Sequence, residues 1–204
     1  MGKRLKSKQA HSRILRRLQK NETGQNLRRH MDPIDHFFNL GSQYYIAARF
    51  AAFGRLNPVV GNLFHHSIEM YLKGGLSKTK NLQQLEKFRH KLPAIWKAFK
   101  DQTTGAALSQ FDATIADLDR YEELRYPNAA LAKGMGSTIN IMRSNASVTG
   151  GISVPQYELC VQDIDELVAA IFSAASRNPK AYFQGLAGCA REFLMKDNTV
   201  GGRL

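Results

Sequence analysis

NPVVGNLFHHSIEMYLKGGL, residues 57–76, reads as one helix with a defined start and stop. Asn57 suits the N-cap, and Pro58 the first helical position, where no N–H is needed. Val60, Leu63, Phe64, Ile68, Tyr71 and Leu72 recur at steps of three and four, so one wide face is apolar. Glu69 and Lys73 stand four apart in the order that favours an ion pair on a helix surface. Gly74 and Gly75 read as the stop. The segments on either side read as elements that cover this helix.

Upstream, Asp32-Pro33 marks the start of a helix over residues 34–53, with Phe37, Phe38, Leu40, Tyr44 and Tyr45 among its apolar positions. Ala47, Ala48, Ala51 and Ala52 would let a neighbouring helix come close. Residues 54–57 are too few for anything but a tight turn, so this helix and the next form an antiparallel hairpin. Downstream come a polar loop at 77–81 and a helix at 82–89. Pro93 then opens a further helix with Leu92, Ile95, Trp96 and Phe99 inward. After a break at 103–105, residues 107–121 read as another amphipathic helix, built on Leu108, Phe111, Ile115 and Leu118. Pro127 ends the helical run at Tyr126. Residues 137–143 and 154–160 are β-rich and read as two strands paired as a hairpin across the loop at 145–151. Asp163, followed three residues on by Glu166, reads as the cap of a helix running to about residue 176. Asn178-Pro179 opens a last helix to about residue 196, and residues 198–204 are expected to fray.

The 204 residues, 43% of them hydrophobic, suit one helical domain with a real core. No apolar run approaches the roughly 20 residues that span a bilayer, so no membrane association is expected. Cys160 and Cys189 lack metal-ligand spacing, which favours a reducing, cytoplasmic setting over a disulfide framework. The net charge of +12 is unevenly spread. Residues 1–30 hold ten basic groups (Lys3, Arg4, Lys6, Lys8, Arg13, Arg16, Arg17, Lys20, Arg28 and Arg29) against Glu22, a net of +9. The remaining 174 residues hold 19 basic and 16 acidic groups, only +3. The chain thus divides into a basic arm, 1–30, a helical domain, 31–197, and a short tail, 198–204. The arm reads as a solvated extension, as a set of phosphate contacts to RNA or DNA, each adding salt-dependent affinity, or as a helix that docks on a partner or an acidic surface.

The order of these signals resembles the HEPN family, the helical domains named for higher eukaryotes and prokaryotes nucleotide-binding. The matching pieces are IAARFAAFG in the first helix and HHSIEMYLKGGL in the second, the latter similar to a Gln-x-x-Glu-x-x-x-Lys-x-x-Leu pattern. His90, Leu92, Ile95 and Trp96 open the third, and Arg125-Tyr126-Pro127 follows the fourth. The resemblance covers residues 34–175 and implies a mainly α, up-and-down bundle, here with a small hairpin-like insertion and the basic arm. It also implies a homodimer, with a nucleotidyltransferase or toxin as possible partner, in a toxin–antitoxin or defence context. The family's RNases use Arg-x4-6-His in the last bundle helix, but this chain has no histidine beyond His90. Arg4 to His11 and Arg29 to His36 match the spacing at the frequency chance allows. The expectation is therefore a non-catalytic binding module with no catalytic residue, metal or cofactor. A divergent metal-independent RNase, using His65, His66 or His90 with Arg49 or Arg125, and an antitoxin-like interaction subunit are the alternatives.

Four residues form the candidate anion or nucleotide site: Glu69, Lys73, His90 and Arg125. Arg125 reads either as one half of a bundle salt bridge or as a phosphate ligand. An inward Glu69 would need Arg125 or Arg49, because a lone buried carboxylate is too costly. His90 reads as a cap or bridge between helices. His65 and His66 face different sides of their helix, and a buried, hydrogen-bonded imidazole is the ordinary reading for such a residue.

Overall fold

Small residues set how closely the first two helices lie. The computed structural model describes residues 32–57, 59–103, 107–143 and 154–204, so the ten arm cations, Lys3 to Arg29, lie outside the described residues. Helix α1 (Pro33–Phe53) and helix α2 (Val59–Leu76) run antiparallel. Gly41 lies against the Tyr71 ring, and Ser67 Oγ donates to the Gly41 carbonyl at 2.9 Å. Arg55, at φ 55°, makes the tight turn between them. Ala48, Ala51 and Ala52 are buried, whereas Ala47 is exposed.

Helix α2 is the central rod, packed by α1 and by three later elements: α4 (Leu92–Gln102), α5 (Asp112–Arg120) and α7 (Val161–Ala174). Its expected stop is not one. Gly74 and Gly75 lie inside the helix, and a Cβ would fall 2.7 Å from the Phe38 ring at Gly74 and 2.4 Å from the Phe99 ring at Gly75. The two glycines serve close approach by aromatic rings rather than a left-handed cap. Around them Phe38, Tyr71 and Phe172 form an aromatic cluster with centroids 4.9 to 5.3 Å apart.

Between α2 and α4, the short helix α3 (Leu82–Glu86) is closed by a capping box of Asn81 and Gln84. Helix α4 starts beside Pro93, and its Leu92 N–H is capped from a distance by Asp119 Oδ1 at 2.9 Å. The expected helix at 107–121 is regular α only over α5, with 3-10 turns at Ser109–Phe111 before it and Tyr121–Arg125 after it. Tyr126 is extended, at φ −120° and ψ 143°, as its following proline requires. A short helix, α6 (Asn128–Lys133), begins beyond that proline, where the sequence had suggested no helix.

The two strands exist, β1 (Gly136–Asn140) and β2 (Gln156–Cys160), but they pair in parallel, with Gly136 opposite Gln156 and Asn140 opposite Cys160. The expected hairpin is corrected: alternation of side chains marks a strand and says nothing of its direction. Helix α7 follows β2 at once, starting at Val161, so Asp163 is not its cap. Asp163 and Glu166 instead hold Arg143, whose Nη2 lies 2.6 Å from Glu166.

The expected last helix is broken into α8 (Lys180–Phe183) and α9 (Gly188–Met195), with Ala187 extended between them. The end of the chain is packed rather than frayed: Val200 and Leu204 are buried, and Asn198 Nδ2 donates to Leu194 O at 2.9 Å. Arg49 organises this closure. It is wholly buried, ion-paired with Asp165 of α7, and donates from Nε to Phe193 O at 2.7 Å and from Nη2 to Lys196 O. Tyr45 Oη adds a hydrogen bond to Asp165 at 2.6 Å. Arg49 is thus not a partner of Glu69. Residues 33–204 form one compact unit, and among the described residues no helix is long and apolar enough to cross a membrane.

Candidate functional site

Helical spacing puts His66, Glu69 and Lys73 on one stripe of α2, at i, i+3 and i+7. The stripe is not on the surface: Glu69 is 1% exposed and Lys73 is buried. The expected solvent-facing Glu69–Lys73 pair is therefore a buried one, with Lys73 Nζ 2.6 Å from Glu69 Oε1. Lys73 also donates to the Arg89 carbonyl at 2.8 Å, which fixes the α3–α4 loop where Arg89 turns at φ 52°. That loop delivers His90. Its Nδ1 stands 2.9 Å from Glu69 Oε2, and because a carboxylate only accepts, Nδ1 carries the proton. His66 Nδ1 lies 3.5 Å from the same oxygen.

Burial pushes the Glu69 carboxyl up, but His66 beside it and the hydrogen bonds from Lys73 and His90 together outweigh burial and hold the group at about 2. Glu69 is thus ionised at any ordinary pH and balanced by Lys73. The two imidazoles, with centroids 5.9 Å apart, edge the group on its solvent side, His66 at 23% and His90 at 47% side-chain exposure. His65, on the other side of α2, is buried with Nδ1 3.1 Å from Leu118 O, and burial lowers its pKa, so it stays neutral. Its Nε2 is 3.8 Å from Glu122, beyond hydrogen-bond reach.

Of the four predicted site residues, Glu69, Lys73 and His90 come together and Arg125 does not join them. Arg125 belongs to the 3-10 turn after α5 and pairs with Glu122 at 3.2 Å. The member outside the predicted four is His66, which the sequence offered only for the RNase alternative. Its signal is the His-x-x-Glu spacing with Glu69, one helical turn.

Exposed cations flank the group. Residues 78–100 carry Lys78, Lys80, Lys87, Arg89, Lys91, Lys97 and Lys100 against Glu86 as the one acid. Lys97 pairs with Asp101 and Lys100 with Asp112, whereas Lys87, Arg89 and Lys91 are exposed and make no ion pair among the described residues. A cleft of about 480 Å³, bordered by Gln110, Glu166, Ser173 and Arg203, shares no residue with the Glu69 group, and its Glu166 is already committed to Arg143. Set beside protein-family models, curated proteins and solved structures, this chain matched none.

Proposed function

We propose that the chain is a non-catalytic, HEPN-like binding module for single-stranded nucleic acid. The site is the Glu69 group with Lys87, Arg89 and Lys91, and the basic arm adds phosphate contacts. The observation that carries this reading is the buried Glu69 that fixes Lys73 and His90 on the segment bearing Lys87, Arg89 and Lys91, which are exposed and make no ion pair among the described residues. A carboxylate balanced in place by a buried lysine leaves the outer cations free to meet phosphates. The reading as a binder rather than an RNase is supported by two arginines: Arg49 is committed to Asp165 and Arg125 to Glu122.

The test is RNA affinity by fluorescence anisotropy across a salt series, in chelator. The R89E/K91E double variant should bind more weakly, and losing two phosphate contacts should flatten the salt slope by about 1.4. Deleting residues 1–30 should flatten it further. Affinity unchanged in both variants removes the proposal.

The two imidazoles at 5.9 Å favour one second reading, a divergent RNase with His66 and His90 as acid and base. Mixed RNA left uncut by the wild-type chain, or cut equally well by H66A and H90A, disposes of it. The homodimer implied by the resemblance belongs to the same proposal. Its place is the apolar cleft of about 380 Å³ where exposed Phe50 meets Phe193, and light scattering that returns the mass of one chain ends it.

A further inference from the structure

We propose that His66, Glu69 and His90 form a divalent transition-metal site, with zinc as the fitting ion and at least one coordination position open to solvent. The inference does not rest on nucleic-acid binding. One ligand atom from each residue lies within 4.8 Å of the other two. Metal–ligand bonds of about 2.0–2.2 Å require ligand atoms about 3.3 Å apart. The separations from Glu69 Oε2, 2.9 Å to His90 and 3.5 Å to His66, bracket that value. Closing the remaining edge asks only for rotation of the His90 ring, which is half exposed and ends a loop.

The donor set matches the chemistry. Two imidazoles and one carboxylate suit zinc and its neighbours and do not suit magnesium or calcium, which take oxygen. Three protein ligands with two of them reached by solvent describe an open site rather than a closed structural one. The surroundings of the carboxylate also fit. Lys73 holds Glu69 through Oε1 alone, so Oε2 remains the donor, already aimed by an outer hydrogen bond of the kind that orients ligating carboxylates. Lys73 is held in turn by the Arg89 carbonyl, so its ammonium has two acceptors and stays in place when the ion enters. The proton on His90 Nδ1 passes to Nε2 as the metal takes its position, so the ring stays neutral.

The experiment uses the full chain without a histidine tag, stripped with chelator, then titrated with Zn²⁺ by calorimetry and with Co²⁺ by visible absorption. One equivalent of each ion should bind, and Co²⁺ should give the intense visible bands of a low-coordinate site. H66A and H90A should each weaken binding by more than the roughly 10–100-fold that loss of an outer-shell partner costs, and abolish those bands. Both side chains are partly exposed, so circular dichroism of the metal-free variants should keep the wild-type helical signal. Absence of binding by either ion, or an equivalent bound equally well by both variants, overturns the site. RNA affinity is measured in chelator, so each proposal can fail without the other.

Discussion

Glu69 is the residue on which the site depends, because it is buried, charged and shared by three donors. Replacing it with glutamine keeps the volume but strands the Lys73 ammonium, and breaking a buried pair in this way costs about 3–5 kcal/mol. The pH dependence follows from the depressed carboxyl. Its ordinary value is 4.5 and its folded value about 2, so the stabilisation is complete above 4.5 and is lost as pH falls toward 2. Urea unfolding in chelator should therefore show the largest gap between wild type and E69Q near neutral pH, narrowing below pH 4.5. A gap that stays constant down to pH 3 would mean that Glu69 is not held ionised by its partners. Glu69, Lys73 and His90 were legible from the sequence because i, i+4 spacing and a His-x-Leu segment are local signals. The burial of the pair was not, since what covers a helix face is decided by segments far along the chain.

At the scale of the element, α2 is defined by what its glycines admit. A Cβ on Gly61 would lie 1.9 Å from the Tyr121 ring, whose hydroxyl donates to Tyr157 O at 3.0 Å. G61A should thus destabilise by about 1–3 kcal/mol through overpacking, despite the roughly 1 kcal/mol that alanine gains in helix propensity. Gly188, with open space around it, is the control: G188A should be neutral or mildly stabilising in the same denaturant titration. If both substitutions behave alike, close packing on α2 is not what its glycines provide. The Gly74-Gly75 pair misled for the same reason, because the rings that need the space, Phe38 and Phe99, are remote in sequence. The strands were legible as strands, yet their parallel register was not, because it depends on a crossover and no two-residue turn signals it.

Across the whole molecule, closure depends on Arg49 gathering α7 and the C-terminal segment, over separations of 116 to 147 residues. No sequence pattern gives such a pairing, and an arginine in an alanine-rich helix reads as easily for a surface position. Val200 and Leu204 seal that end, so removing residues 199–204 should cost about 3 kcal/mol or more by chemical denaturation. A truncated chain as stable as the full one would restore the reading of a frayed tail. The mainly α character, the central rod and the helical hairpin were legible because each rests on periodicity, while ion-pair partners and breaks between helices depend on tertiary contacts.

The central claim, that ligand meets this chain at the Glu69 group, is tested most directly by the histidine side-chain resonances of the full chain. A short single-stranded RNA is titrated in chelator, with H66A and H90A supplying the assignments. The account predicts that the His66 and His90 signals shift saturably while buried His65 stays still; signals of His66 and His90 that do not move while RNA binds elsewhere would contradict it.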